Sequence, residues 1–229
     1  MQALDIVISI LLIILAYIIG SIPFGVVLGK LICKKDIRQF GSKNIGTTNA
    51  IRVLGKKVGY FVFFCDVFKG MLVIILLKLL SYFGVWTSPI DLFLYGAASI
   101  LGHSFSIFLE FTGGKAVATS LGVVLILTPI PAISCLILFT IIFFTTKYVS
   151  LASTGATFTV ILTTWLLYGF GVENVTNIGL YFIAKPSLLL AILYSVLAML
   201  IIIKHFKNYK RLLKGTENSF KKKKTPAES

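Results

Sequence analysis

Between Leu4 and Ile203 the chain is a succession of apolar runs parted by short polar breaks. A bilayer core about 30 Å thick accepts little except helices that satisfy their own backbone, so this pattern allows few folds besides a bundle of membrane helices. The runs cover about Leu4–Leu28, Val58–Phe83, Asp91–Phe108, Val117–Thr128, Ala132–Thr146, Leu151–Phe170 and Pro186–Ile203, which predicts an all-α polytopic protein with about seven spans. A mean hydropathy of +0.97 with 57% hydrophobic and 13% charged residues agrees. The 229 residues leave hardly any room for a separate soluble domain: 1–214 reads as one membrane domain and 215–229 as a basic, flexible tail. The first run is too long for a signal peptide and lacks its basic start and small-residue cleavage site.

The breaks between the runs are unlike one another. Gly20-Ser21-Ile22-Pro23-Phe24-Gly25 interrupts the first run, as expected of a kinked membrane helix. The next break holds Gly41-Ser42-Lys43-Asn44-Ile45-Gly46-Thr47-Thr48-Asn49-Ala50, followed by Arg52. Its glycines let successive backbone N–H groups converge on one anion, and Ser42, Asn44, Thr47, Thr48 and Asn49 add short-reach donors. Arg52 can grip a phosphate through two parallel hydrogen bonds. A tight turn with helix caps would draw the same residue types, and the stretch is not a Walker A loop. A second break, Phe111-Thr112-Gly113-Gly114-Lys115-Ala116, again joins glycines to one ammonium, and is a second candidate anion site. Pro129 and Pro131 mark an external bend.

Charge sets the orientation. The net +14 is concentrated in the loop after the first run and in the C-terminal tail, which points to anionic lipid rather than nucleic acid. With these basic stretches inside, seven spans put the N-terminus outside and the C-terminus in the cytoplasm, at the cell membrane. Both glycine-rich breaks, the Lys147 turn with Ser150 and the tail then share the cytoplasmic face, and Glu173 and Lys185 fall on the other. Asp66 and Lys69 lie within a span and can pair on one helical face. His103 near a helix end reads most simply as a hydrogen-bonded interior histidine. Cys33, Cys65 and Cys135 are scattered, without CxxC spacing, so no disulfide frame or zinc site is indicated.

Taken together, Gly20-Ser21-Ile22-Pro23-Phe24-Gly25 and Gly41 to Asn49, Asp66-Val67-Phe68-Lys69-Gly70, Gly102 to Leu109 with Gly113-Gly114-Lys115, and the tail pattern His205, Asn208, Arg211-Leu212-Leu213, Gly215 and Glu217 resemble the bacterial acyl-phosphate:glycerol-3-phosphate acyltransferases, the PlsY family. The resemblance runs in order along nearly the whole chain. It departs where the family pattern usually has glycine at Lys43, alanine at Thr47, proline at Ser106, lysine at Thr112 and glycine at Ala116.

The resemblance implies transfer of a fatty acyl group from acyl phosphate to glycerol 3-phosphate, with release of inorganic phosphate and lysophosphatidic acid. It implies that Gly41, Ser42, Asn44, Gly46, Thr47, Thr48 and Asn49 hold the acyl phosphate and that Arg52 and Lys115, with Gly113 and Gly114, meet phosphate charge. His205 and Asn208 would orient glycerol 3-phosphate, with Ser150 a further candidate there. The base is left open between the donor's own phosphate and His205. No cofactor or metal is called for, and a monomer is expected. Competing motifs are absent: a His-x4-Asp motif needs an acid at Phe108 or Lys210, and neither G-x-S-x-G nor HExxH occurs. An organic-anion transporter is the rival from another class and an inactive lipid-binding scaffold a second, although no inverted repeat is visible and the basic groups crowd one face.

Overall fold

The computed structural model describes residues 3–171 and 187–220. These residues form ten α-helices and two 3-10 turns, with no β-strand among them. The helices are α1 Ala3–Ser21, α2 Phe24–Cys33, α3 Thr47–Leu54, α4 Lys56–Tyr82, α5 Leu92–Ser104, α6 Val117–Leu127, α7 Pro129–Thr146, α8 Val149–Gly169, α9 Leu188–Lys204 and α10 Phe206–Leu213. The all-α expectation therefore holds. Among the described residues four helices, α1, α4, α7 and α8, are long and apolar enough to cross a bilayer, and five if α9 with α10, bent by 49°, is one span. The sequence reading of about seven spans is larger for a physical reason. The third and fourth runs became α5 and α6, of 13 and 11 residues. At 1.5 Å per residue they rise only about 20 and 17 Å, short of a hydrocarbon core of about 30 Å.

The expected break of the first run falls at Ile22-Pro23, between α1 and α2. Proline has no N–H to continue the ladder, so carbonyls there need other donors. Lys69 Nζ donates to Ile22 O at 2.8 Å and Ser106 Oγ to Ser21 O at 2.6 Å. The expected pairing of Lys69 with Asp66 is present at 2.7 Å, with both side chains 2% exposed. His103 Nδ1 stands 3.7 Å from the same carboxylate oxygen. This buried charge group ties α4 and α5 to the break between α1 and α2.

The α4–α6 crossing is a reciprocal backbone contact. A Cβ at Gly70 would strike the Thr119 carbonyl, and one at Gly122 the Val67 carbonyl. Small residues at a helix crossing let backbones touch where lipid offers no hydrophobic driving force. Outward, Leu11, Phe64, Ile137, Leu162 and Met199 are exposed around the bundle, as a lipid solvent requires.

Two boundaries differ from the sequence reading. The third run ends as helix at Ser104, not Phe108, because Ser106 turns extended and caps a 3-10 turn over Ile107–Leu109. Pro129 and Pro131 do not form a bend ahead of the fifth run. Pro129 opens α7 as its first residue, where the missing N–H costs nothing, and the chain turns at Thr128. The polar turn from Gly171 to Lys185, with Glu173, lies almost wholly outside the described residues.

Candidate active site

The loop from Ile37 to Gly46 is built around one side chain. Asn49 Oδ1 accepts the Ser42 N–H at 2.9 Å, and its Nδ2 donates to Ile37 O and Asn44 O at 2.9 Å and to Phe40 O at 3.2 Å. Gly41, at φ +62, packs on the same Oδ1 where any Cβ would collide. Asn44 Oδ1 in turn accepts the Gly46 N–H at 2.9 Å. The sequence expectation makes Asn49 a phosphate ligand. Its carboxamide is instead fully engaged within the loop and 1% exposed.

This scaffold aims the start of α3. Its N-cap is Gly46, with no side-chain cap; the Asn49 N–H turns back to Gly46 O at 3.1 Å, and the Thr47 and Thr48 N–H groups stay open. The Thr47 Oγ1 atom is buried without a hydrogen-bond partner. Open amides and a free hydroxyl at the positive end of a helix suit an oxyanion. Lys43 takes no part: its side chain is exposed and its backbone sits at φ +58.

Opposite α3, residues from three distant stretches form one network. Lys115 Nζ donates to Asn208 Oδ1 at 2.6 Å, and Asn208 Nδ2 donates to Glu217 Oε1 at 2.6 Å. Ser150 Oγ also donates to Glu217 Oε1, at 3.1 Å, and Arg211 Nε to Glu217 Oε2 at 2.7 Å. Packed chain thus continues past residue 214, where the sequence reading ended the membrane domain. Phe220 closes the segment, its N–H on Lys147 O at 3.0 Å, its ring edge-on to Phe143, and the Arg52 guanidinium 5.2 Å over its centre.

The titrations follow from this packing. Burial lowers the Lys115 ammonium to about 8, with Glu217 opposing the shift. Burial also lowers Arg52 from its ordinary value, and a guanidinium still keeps its charge near neutrality. Burial works to raise the Glu217 carboxyl, but hydrogen bonds from Asn208 and Arg211 outweigh it and hold it low. His205, just beyond the end of α9, is lowered to about 4 by burial and by Lys115. Its Nδ1 lies 2.8 Å from Ile201 O, and a carbonyl can only accept, so that nitrogen carries the proton. Neutral His205 therefore keeps Nε2 as an acceptor.

Both halves face one cavity of about 920 Å³. Its mouth is lined by Ser42, Asn44, Gly46, Thr47, Thr48, Asn49, Arg52, Lys115, Ser150, His205 and Asn208. Its inner part runs between α6, α7, α8 and α9 past Val124, Leu136, Phe139, Val160 and Tyr194. Three expected site residues do not line it: Gly41, Gly113 and Gly114. The latter two let the Lys115 loop lie against α5, since a Cβ on either would strike Ser104 or His103, and Gly114 N–H reaches His103 O at 3.0 Å. They position Lys115 rather than cradle an anion. The sequence reading assigned no role to Arg211 or Glu217, yet a signal was present: Glu217 is the one acid between Glu173 and Glu228, set among cations. Arg52, Lys115, Arg211 and their donors can hold two phosphorylated groups, and the apolar interior can take an alkyl chain.

Comparison with known proteins agrees with this geometry. Residues 10–215 match the family model for glycerol-3-phosphate acyltransferase. The chain is 41% identical to the glycerol-3-phosphate acyltransferase of Acholeplasma laidlawii, over 98% of this chain and 97% of that one. It is 43% identical to that of Fusobacterium nucleatum, over 91% and 96%. Among solved structures it is similar to PlsY, an integral membrane glycerol 3-phosphate acyltransferase, in its glycerol 3-phosphate form. The TM-score is 0.76 at 37% identity, over 93% of this chain and 96% of that one. The lysophosphatidic acid form of PlsY superposes with a TM-score of 0.74 at 37% identity, over 93% and 95%.

Proposed function

The chain belongs to the glycerol-3-phosphate acyltransferase (PlsY) family of integral membrane proteins, and from that premise we propose that it moves a fatty acyl group from acyl phosphate to glycerol 3-phosphate. The observation that carries this reading is the Lys115–Asn208–Glu217 network with Ser150 and Arg211, facing the open start of α3 across the mouth of an apolar cavity. Two anion-binding walls suit two phosphorylated substrates, and the interior suits a long tail. The structures of PlsY in glycerol 3-phosphate and lysophosphatidic acid forms support the acceptor and the product.

The acyl phosphate group rests against the α3 N-terminus, with Ser42, Thr47 and Thr48 as donors and Arg52 as counter-charge. Glycerol 3-phosphate sits on the opposite wall, its phosphate near Lys115 and its hydroxyl turned to the acyl carbonyl by Asn208. The hydroxyl oxygen attacks the carbonyl carbon, an ester C–O bond forms and the C–O bond to phosphate breaks. Phosphate is already a good leaving group, so no acyl-enzyme is needed: positioning and stabilisation of negative charge lower the barrier. The hydroxyl proton goes to the departing phosphate or to His205 Nε2. The site lies on the cytoplasmic side of the cell membrane, the N-terminus outside, in a monomer of about seven membrane-embedded segments, α5 and α6 being the short ones.

The test is acyl transfer by the purified protein in detergent, comparing palmitoyl phosphate with palmitoyl-CoA and palmitoyl-acyl carrier protein. Lysophosphatidic acid and free phosphate from palmitoyl phosphate alone is the expected result. Turnover with a thioester alone overturns the donor. No product from folded protein overturns the reaction.

A further inference from the structure

We propose that Tyr194, locked by Thr128, is the end wall that sets the length of acyl chain this enzyme accepts. The inference rests on the acyltransferase reading above. The cavity is wettable only near its mouth. From Lys115, Ser150 and His205 it passes Ser120, Ser153 and Thr157, and beyond them its lining turns apolar at Val124, Cys135, Val160 and Tyr194.

Its depth can be read from the helices. Tyr194 of α9 precedes His205, just past that helix's end, by eleven residues, and Val160 follows Ser150 by ten on α8. At 1.5 Å per residue both walls place Tyr194 and Val160 about 15 Å from the phosphate-binding network. An extended chain of single bonds advances about 1.2 Å per bond, as a polypeptide does over its three bonds per residue. A straight acyl chain of about a dozen carbons therefore meets the Tyr194 ring, and a longer one must bend within the cavity.

The wall is rigid. Tyr194 is 4% exposed, and its hydroxyl lies 2.8 Å from Thr128 Oγ1, at the turn between α6 and α7. Thr128 Oγ1 donates to Val124 O at 3.2 Å, so the tyrosine hydroxyl is the donor in the pair. The ring stands edge-on to Phe93 at 5.3 Å between centres, and Leu127 and Leu190 fill the space around it. Swinging the ring aside would strand a buried hydroxyl and open a void at once, so a longer chain cannot displace it cheaply. A phenylalanine or leucine would pack there without the hydrogen bond. The tyrosine–threonine pair is the feature that pins the wall to the α6–α7 turn.

The experiment uses the purified full-length chain and a series of acyl phosphates from decanoyl to stearoyl, reading kcat/KM for each donor and KM for glycerol 3-phosphate. Tyr194→Leu deepens the cavity, and the ratio of stearoyl to lauroyl turnover should rise about tenfold, the discrimination that a methylene or two carries in an apolar pocket. Val160→Phe closes the same end from the opposite wall and should lower that ratio by a similar factor. KM for glycerol 3-phosphate should stay unchanged in both, which general damage would not allow. If Tyr194→Leu fails to fold, Val160→Phe decides the matter. Active variants with the wild-type chain-length profile overturn the end wall while leaving the acyltransferase reading intact. Wild-type protein inert with every acyl phosphate overturns that reading and the end wall with it.

Discussion

Lys115 and Asn208 meet at 2.6 Å although 93 residues separate them in sequence. That single hydrogen bond joins the Gly-Gly-Lys break to the C-terminal helix and leaves a half-buried ammonium at the mouth of the cavity. Removing the charge while keeping the stem, in Lys115→Met, should lower kcat/KM about 100-fold or more, since a charge-assisted contact to a transferring phosphoryl group is lost. Unchanged kinetics in a steady-state assay would remove Lys115 from the site.

The same ammonium predicts a pH profile. Lys115 titrates near 8 in the free protein, so kcat/KM should fall as pH rises through that value. Lys115→Arg should move the fall to higher pH, since a guanidinium does not titrate there. Stability responds with the opposite sign. A lysine with a lowered folded pKa binds fewer protons than the unfolded chain between about 8 and its ordinary 10.5, so its contribution to stability increases over that window. Activity and melting temperature measured across that range on one preparation check both signs.

Glu217 organises three donors from two helices, and Glu217→Ala leaves Ser150, Asn208 and Arg211 without their shared acceptor. A loss of about 2–3 kcal/mol of stability is expected, together with a raised KM for glycerol 3-phosphate. Its carboxyl is held below the ordinary glutamate value, so this stabilisation is present above that value and lost as pH falls through the depressed one. Thermal unfolding of the variant in detergent reads the first effect, and its acid limb reads the second.

Asn49→Ala tests the loop scaffold rather than a ligand. The substitution strands the Ser42 N–H and the Ile37 and Asn44 carbonyls, and should cost about 3 kcal/mol or more with loss of activity. The readout that separates scaffold from ligand is protease sensitivity between Ile37 and Gly46 in the absence of substrate. A variant as resistant as wild type would contradict the scaffold.

Lys43 and Ala116 both hold left-handed backbone, at φ +58 and +56. Such a conformation disfavours a side chain by about 1–2 kcal/mol, which is the physical reason a glycine suits both places. Lys43→Gly should therefore raise stability by up to about 1 kcal/mol, the gain reduced by the added freedom of the unfolded chain. Ala116→Gly should gain less, because the Ala116 methyl is buried at 1% exposure and its packing would be lost. Paired melting curves should rank the two in that order.

The apolar runs, the break at Ile22-Pro23, the Asp66–Lys69 pair and the two glycine-rich breaks were all legible in the chain itself. Each is a local consequence of composition and spacing: hydrophobic length decides a membrane helix, and proline or glycine decides where it stops. The motifs also carried the family and most of the residues that ring the cavity mouth. What the order of residues could not display was which polar groups face a ligand and which face the protein. Asn49 and Ser42 sit in one motif with similar chemistry and both border the cavity, yet the Asn49 carboxamide is consumed by the Ser42 N–H and loop carbonyls. Gly113 and Gly114 looked like an anion cradle and serve as close contacts to His103 and Ser104. Glu217, read as part of a loose basic tail, is drawn back because three donors converge where it passes. Hydrogen bonds act over about 3 Å whatever the sequence separation. Their partners are therefore chosen by how α4, α5, α6 and α9 pack, and only the tertiary structure decides that.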